Sequence, residues 1–77
     1  MNTSELIKNI RTQAGVSQRE FARQLGIAFS TVNRWENGLF APTVMARKLL
    51  KMYCIERGME QKLIDAIDMP GGGNVNG

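Results

Sequence analysis

The stretch SQREFARQLGIAFSTVNRWEN, residues 17–37, decides the fold of this chain. It opens with Ser-Gln-Arg-Glu, and a Ser-x-x-Glu pattern is typical of a capped helix start. Gly26 ends this first segment after fewer than ten residues. A second short segment, over about 28–37, ends at Asn37-Gly38. Because only Gly26 and Ile27 separate the two segments, the helices must cross sharply, which predicts a helix-turn-helix motif at about 17–37.

The second helix of this motif has one apolar face and one polar face. At about 100° per residue, Val32 and Trp35 lie on the same side, and Glu36 falls beside them. The opposite side holds four side chains that can hydrogen-bond base edges or phosphates: Ser30, Asn33, Arg34 and Asn37. An ordinary solvated helix surface is the alternative interpretation. The lack of acids on the polar face favours insertion into the major groove of DNA.

Composition excludes several classes of function. The chain has 77 residues and a net charge of +3, so it forms one small domain. It contains no His and a single Cys, Cys54, so one chain cannot assemble a His-based triad, a Cys-His pair or a structural zinc site. We therefore expect no enzyme activity, no cofactor and no metal. Apolar runs are far too short to span a membrane, the N-terminus lacks a signal-peptide layout, and a cytoplasmic protein is expected.

Charge is distributed unevenly along the chain. Residues 1–54 hold eight basic and three acidic side chains, whereas residues 55–77 hold two basic and four acidic ones. The basic N-terminal part indicates an anionic partner.

Outside the motif, three further helices are predicted, and no strand pattern is present. The first runs over about 4–14, with Asn2 and Glu5 placed to cap its start. The fourth starts after Thr43 and runs to Arg57, and the fifth covers about 60–68. The fourth helix supplies four core candidates: Val44, Leu49, Leu50 and Tyr53. The sequence thus predicts an all-α domain over 1–69 and a disordered Gly-rich tail over 70–77.

The motif residues resemble a known family. The pattern combines Gln, Ala, Gly and Val at helix-turn-helix spacing with a following Trp-Glu-x-Gly sequence. Its members are Gln18, Ala22, Gly26, Val32, Trp35, Glu36 and Gly38, and it is preceded by Arg11 and followed by Pro42. It is similar to the Cro/C1-type, or xenobiotic-response-element-like, regulators, and the resemblance covers about residues 5–53. The stretch 30–36 also resembles small antitoxin-type regulators. The resemblance implies a compact, lambda-repressor-like bundle of about five short helices.

The resemblance also implies roles for individual residues. The family positions imply contact with bases for Phe29, Ser30 and Arg34, and contact with phosphates for Gln18 and Asn37. Asn33 lies on the same side and is expected to contact a base, although it could contact a phosphate instead. Arg19 is expected to contact a phosphate because it follows Gln18. Arg11 and Glu36 are expected to form a structural ion pair. The chain departs from the family pattern at two positions: Ala28 cannot cap the recognition helix, and Phe29 stands where a polar reader is usual. Phe29 could contact a thymine methyl, or it could pack into the core or against a protein.

These residues predict a regulator of transcription, with repression as the expected direction, that binds double-stranded DNA sequence-specifically. One recognition helix reads few base pairs, so a homodimer on a pseudo-palindromic operator is expected. The fourth and fifth helices are the expected interface, with Leu63, Ile64 and Ile67 of the fifth helix expected to be poorly covered in so small a fold. The alternative is a protein-interaction module or antitoxin-like protein that binds a partner protein through Phe29, Phe40 and the C-terminal helices.

Overall fold

The computed structural model describes residues 2–69 and contains five α-helices in that range. They are α1 (Thr3–Ala14), α2 (Gln18–Leu25), α3 (Phe29–Glu36), α4 (Val44–Glu56) and α5 (Gln61–Ile67). No strand occurs between residues 2 and 69. The predicted all-α fold is confirmed, and each helix end lies within about one residue of its predicted position. The tail predicted at 70–77 lies outside the described residues.

Side-chain caps define three of the helix starts. Asn2, Ser17 and Thr43 each accept a hydrogen bond from the backbone N–H three residues further on, which satisfies a donor that the helix itself leaves free. α1 has a complete capping box. In α2 the carboxylate of Glu20 hydrogen-bonds side chains of its own helix. α3 starts after Ala28 without any side-chain cap, as predicted.

The core lies where all five helices meet. Its most deeply buried large side chains come from α1, α2, α3 and α4: Ile7, Ile10, Phe21, Val32, Leu50 and Cys54. The Phe21 ring meets the Tyr53 ring edge-on, with their centres 5.1 Å apart. This contact joins the helix-turn-helix pair to α4, because Phe21 belongs to α2 and Tyr53 to α4.

Two predicted core residues of α4 lie on the surface instead. Val44 is 59% exposed and Leu49 is 39% exposed. α4 carries apolar side chains around most of its circumference, and only the side with Leu50, Tyr53 and Cys54 packs against the other helices. Hydrophobicity alone therefore could not tell which side faces the core.

The prediction that Leu63, Ile64 and Ile67 of α5 are poorly covered is wrong for two of the three. Leu63 is 3% exposed and Ile67 is 6% exposed, because α5 packs onto α1 and α4 of its own chain. Ile64 is partly buried against the same core. Side chains already buried within one chain cannot supply the contact area of an interface.

Candidate nucleic-acid interface

The turn between α2 and α3 sets the position of the candidate recognition helix. Gly26 ends α2 with φ of 75°, a left-handed conformation that glycine adopts without strain. The N–H of Ile27 donates to the carbonyl of Ala22 over 3.0 Å, which closes the turn. Ala22 is 2% exposed, and its small side chain lets α2 and α3 approach each other closely. Val32 and Trp35 then anchor α3 in the core.

The opposite surface of α3 is exposed and polar. Ser30, Arg34 and Asn37 are exposed, and Asn33 is half-buried. Glu36 is the acid nearest to these residues in sequence, and it is only 4% exposed. Among the described residues, the solvent-facing side of α3 therefore carries hydrogen-bonding and basic groups and no carboxylate.

Phe29 lies at the N-terminal end of the same surface. Its side chain is 37% exposed, so it is not part of the core. The Cζ atom of Arg19 lies 4.4 Å from the centre of the Phe29 ring. Such a cation–π contact holds a guanidinium above an aromatic face. Arg19 and Phe29, expected as separate contacts to phosphate and base, form one unit.

Arg34 makes a comparable contact with the loop that follows α3. Its Cζ atom lies 5.8 Å from the centre of the Phe40 ring, and Phe40 is itself half-exposed. From the sequence, Phe40 is expected only as a contact for a protein partner. Its place beside Arg34 depends on the path of residues 37–43, for which the sequence offers no repeating pattern.

Arg19 and Arg34 are among the basic residues that have no acidic partner within the described part of the chain. Within residues 2–69, ion pairs are formed by five basic residues: Arg11, Arg23, Arg47, Lys51 and Lys62. Neither Arg19 nor Arg34 is among them. Two unneutralised guanidinium groups on one exposed surface favour an anionic partner.

Arg11 and Glu36 form the ion pair that the resemblance implies. Nε of Arg11 donates to Oε2 of Glu36 over 2.7 Å, and Nη2 donates to Oε1 over 3.1 Å. A third donation runs from Nη1 of Arg11 to the carbonyl of Val16. This bidentate geometry joins α1 to the end of α3. Ser4 adds a hydrogen bond from its hydroxyl to the backbone carbonyl of Glu36.

The surroundings of Glu36 keep it ionised. Burial disfavours its charged form, but hydrogen bonds from Arg11 and Gln18 and the nearby positive charges outweigh this and hold the pKa of Glu36 below its ordinary value of 4.5. The hydrogen bond to Glu36 likewise raises the pKa of Arg11. The pair is therefore charged at every pH at which the protein is expected to work.

A chain of hydrogen bonds leads from this ion pair to the exposed surface of α3. Nε2 of Gln18 donates to Oε1 of Glu36 over 3.0 Å, and Nδ2 of Asn33 donates to Oε1 of Gln18 over 3.2 Å. Nδ2 of Asn37 then donates to Oδ1 of Asn33 over 3.0 Å. A carboxylate only accepts hydrogen bonds, so Gln18 must turn its NH2 group toward Glu36 and its carbonyl oxygen toward Asn33. Asn33 in turn must present its NH2 group to Gln18 and its carbonyl oxygen to Asn37.

This chain leaves Asn33 with one unused N–H and one unused lone pair, because each side-chain amide has two donors and a carbonyl oxygen. Adenine presents one acceptor and one donor in the major groove, the pair that an asparagine can bind. The sequence indicated the polar residues but not their connection. Only the spacing of four between Asn33 and Asn37 could have suggested part of it.

The described part of the chain holds no candidate for two other kinds of site. No group of three or more His, Cys, Asp or Glu residues there could hold a metal ion. None of its helices is long and apolar enough to cross a membrane.

Comparison with known proteins agrees with this geometry. The chain matches no curated protein and no solved structure significantly. The model of a helix-turn-helix family of the Cro/C1 type matches residues 7–53, which is more than half of the chain and includes α2, the turn and α3. The protein belongs to the Cro/C1-type helix-turn-helix family of DNA-binding regulators.

Proposed function

We propose that the protein is a transcriptional repressor that binds a specific double-stranded DNA sequence by placing α3 in the major groove. The observation that carries this proposal is the exposed surface of α3, which has no acid and holds Arg34 without an ionic partner. Its other face is anchored by Val32 and Trp35, so the surface is presented on a rigid helix. Repression follows where such an operator overlaps a promoter.

Four residues read bases in this proposal. Arg34 donates two hydrogen bonds to O6 and N7 of a guanine, and Asn33 uses its remaining N–H and lone pair on an adenine. Ser30 adds a hydrogen bond beside them. Phe29 presents the part of its ring that Arg19 leaves free to a thymine methyl.

Three residues set the register through phosphates. Gln18 occupies the first turn of α2, where backbone N–H groups also point outward. Its amide is held by Glu36 and keeps one N–H free. Beside Gln18, Arg19 supplies a guanidinium charge that no acid within residues 2–69 neutralises, and Asn37 supplies an exposed side-chain amide. Contacts of this kind position a protein on DNA without reading its sequence.

A single α3 reads only a few base pairs, so the operator has two half-sites and is bound by two copies. Half-sites in such complexes lie about one helical turn apart. The operator is therefore pseudo-palindromic, with a centre-to-centre spacing of about 10 base pairs.

The test is selection of bound DNA from random sequence, followed by affinity measurements on each base variant of the selected site. Arg34→Ala should cost about 1–3 kcal/mol, concentrated at one base position. Arg23→Ala is the matched control, because Arg23 already pairs with Glu20. Affinity for the selected site should fall steeply with salt. Equal weakening by Arg34→Ala on every sequence would contradict base reading by Arg34.

A protein partner is the second candidate function, and one observation favours it. Leu39 is 68% exposed and Phe40 is 49% exposed, so the loop after α3 offers apolar side chains to solvent. An antitoxin-like protein could bind a partner there. Affinity for DNA that hardly depends on salt or sequence, together with a protein complex that Phe40→Ala disrupts, would favour this function.

A further inference from the structure

The outer face of α4 carries an apolar surface that no other part of residues 2–69 covers. Five large apolar side chains lie on this side of the helix and are at least 39% exposed: Val44, Met45, Leu49, Met52 and Ile55. Successive members are three or four residues apart, apart from one adjacent pair, so they form one continuous stripe along α4. An exposed apolar stripe of this length is typical of a surface that binds another protein.

Two opposite charges lie beside the C-terminal part of this stripe, symmetrically about Met52. Lys48 precedes Met52 by four residues and Glu56 follows it by four. Residues four apart form one ridge along a helix. Both charges are exposed, and neither forms an ion pair within residues 2–69, whereas Lys51 on the same helix pairs with Asp68.

We propose that the outer face of α4 binds α4 of a second copy in antiparallel orientation, with the two-fold axis beside Met52. The ridge formed by Lys48, Met52 and Glu56 runs in opposite directions in the two copies. With Met52 facing Met52, Lys48 of each copy lies next to Glu56 of the other. Leu49 then comes level with Ile55 of the second copy, and the two Met52 side chains meet. From Lys48 to Glu56 the surface is thus complementary to itself, which an isologous dimer requires.

The charges select the antiparallel orientation. In a parallel pair, Lys48 would face Lys48 and Glu56 would face Glu56, and like charges oppose association. Ridges of residues four apart pack between helices that cross at about 50°. In this geometry the two ridges run alongside each other, which brings each lysine close to the opposite glutamate. A partner of another kind would not require a pattern centred on Met52.

This inference deepens the proposed two-copy binding to DNA by naming the surface through which the copies meet. It also narrows the interface expected from the sequence, which included both the fourth and the fifth helix, to α4. Because the contact needs no DNA, it is tested on the free protein, and its outcome is separate from that of DNA recognition.

The first experiment measures molar mass by analytical ultracentrifugation between about 1 and 300 µM chain. Wild-type protein should shift from monomer to dimer within this range. Met52→Glu places two like charges against each other at the two-fold axis and should raise the dimer Kd at least 100-fold. Leu39→Glu is the control, because Leu39 is also an exposed apolar residue (68%, against 56% for Met52) but lies in the loop before α4, and it should leave the Kd unchanged.

A charge exchange distinguishes specific contact from general loss of apolar surface. Lys48→Glu and Glu56→Lys should each raise the dimer Kd about tenfold, because each puts like charges side by side at two symmetric places. The double variant K48E/E56K should restore the wild-type Kd. Lys48 and Glu56 are eight residues apart on one helix, about 12 Å along its axis, so recovery requires contact between copies.

Two results would overturn the inference: a wild-type protein that stays monomeric up to about 300 µM, or a double variant as weak as the single ones. The K48E/E56K protein should still bind a half-site of the selected operator with wild-type affinity. Half-site binding without a dimer would refute the α4 contact alone. A dimer that shows no sequence preference would instead refute the proposed DNA recognition.

Discussion

Replacing Glu36 by glutamine removes one charge from the interior while leaving the side-chain shape almost unchanged. The carboxylate accepts two hydrogen bonds from Arg11, at 2.7 and 3.1 Å, and one from Gln18 at 3.0 Å. An amide at this position keeps one acceptor oxygen, and its NH2 group must face a donor. At least one charge-assisted hydrogen bond is therefore lost, and Arg11 is left without its counter-charge.

The magnitude follows from the burial of the two partners. Removing one member of a buried ion pair costs about 3–5 kcal/mol. The Glu36 side chain is 2% exposed, but that of Arg11 is 20% exposed, so water can partly solvate the remaining guanidinium. We expect Glu36→Gln to lower the free energy of unfolding by about 3 kcal/mol, at the low end of that range. For a domain of this size, the melting temperature should fall by roughly 12–24 °C.

The assay is thermal and urea unfolding followed by circular dichroism, with Glu20→Gln as the matched control. Glu20 also pairs with an arginine, Arg23, but on the surface of α2. Its replacement should leave the melting temperature nearly unchanged, because exposed pairs contribute little. If Glu36→Gln were no more destabilising than Glu20→Gln, the reasoning that burial makes the Arg11–Glu36 pair important would be refuted.

Three further predictions concern pH, the turn and the missing cap. Because the folded pKa of Glu36 lies below 4.5, its contribution is present above that pH and is lost as pH falls through the folded value. The difference in free energy of unfolding between wild type and Glu36→Gln, measured by urea unfolding, should therefore be constant above about pH 6 and shrink below about pH 4.5. A difference that does not depend on pH would contradict this. Gly26→Ala should cost about 1–2 kcal/mol in urea unfolding through its φ of 75° alone, since an added Cβ meets nothing within 4 Å, and Gly26→Asn should cost less. Ala28→Ser should stabilise the fold by about 0.5–1 kcal/mol by supplying the cap that α3 lacks, whereas Ala28→Val should not raise the melting temperature.

The sequence by itself was sufficient for the helices and for the turn. Gly26, the cap at Ser17 and the alternation of Val32 and Trp35 with polar residues act within one or two helical turns. Their consequences do not depend on the rest of the fold, and the structure places the helix ends where these signals predict them. The polar surface of α3 was predictable for the same reason, because it follows from helical periodicity alone.

Tertiary structure decided the features that depend on which surfaces meet. The connection from Glu36 through Gln18 to Asn33 joins α2 to α3, and no local pattern encodes it. Leu49 of α4 faces solvent although it is as apolar as Leu50 beside it, since the other helices cover only one side of α4. A local sequence determines how apolar each side of a helix is, whereas the packing of the whole chain determines which side is covered.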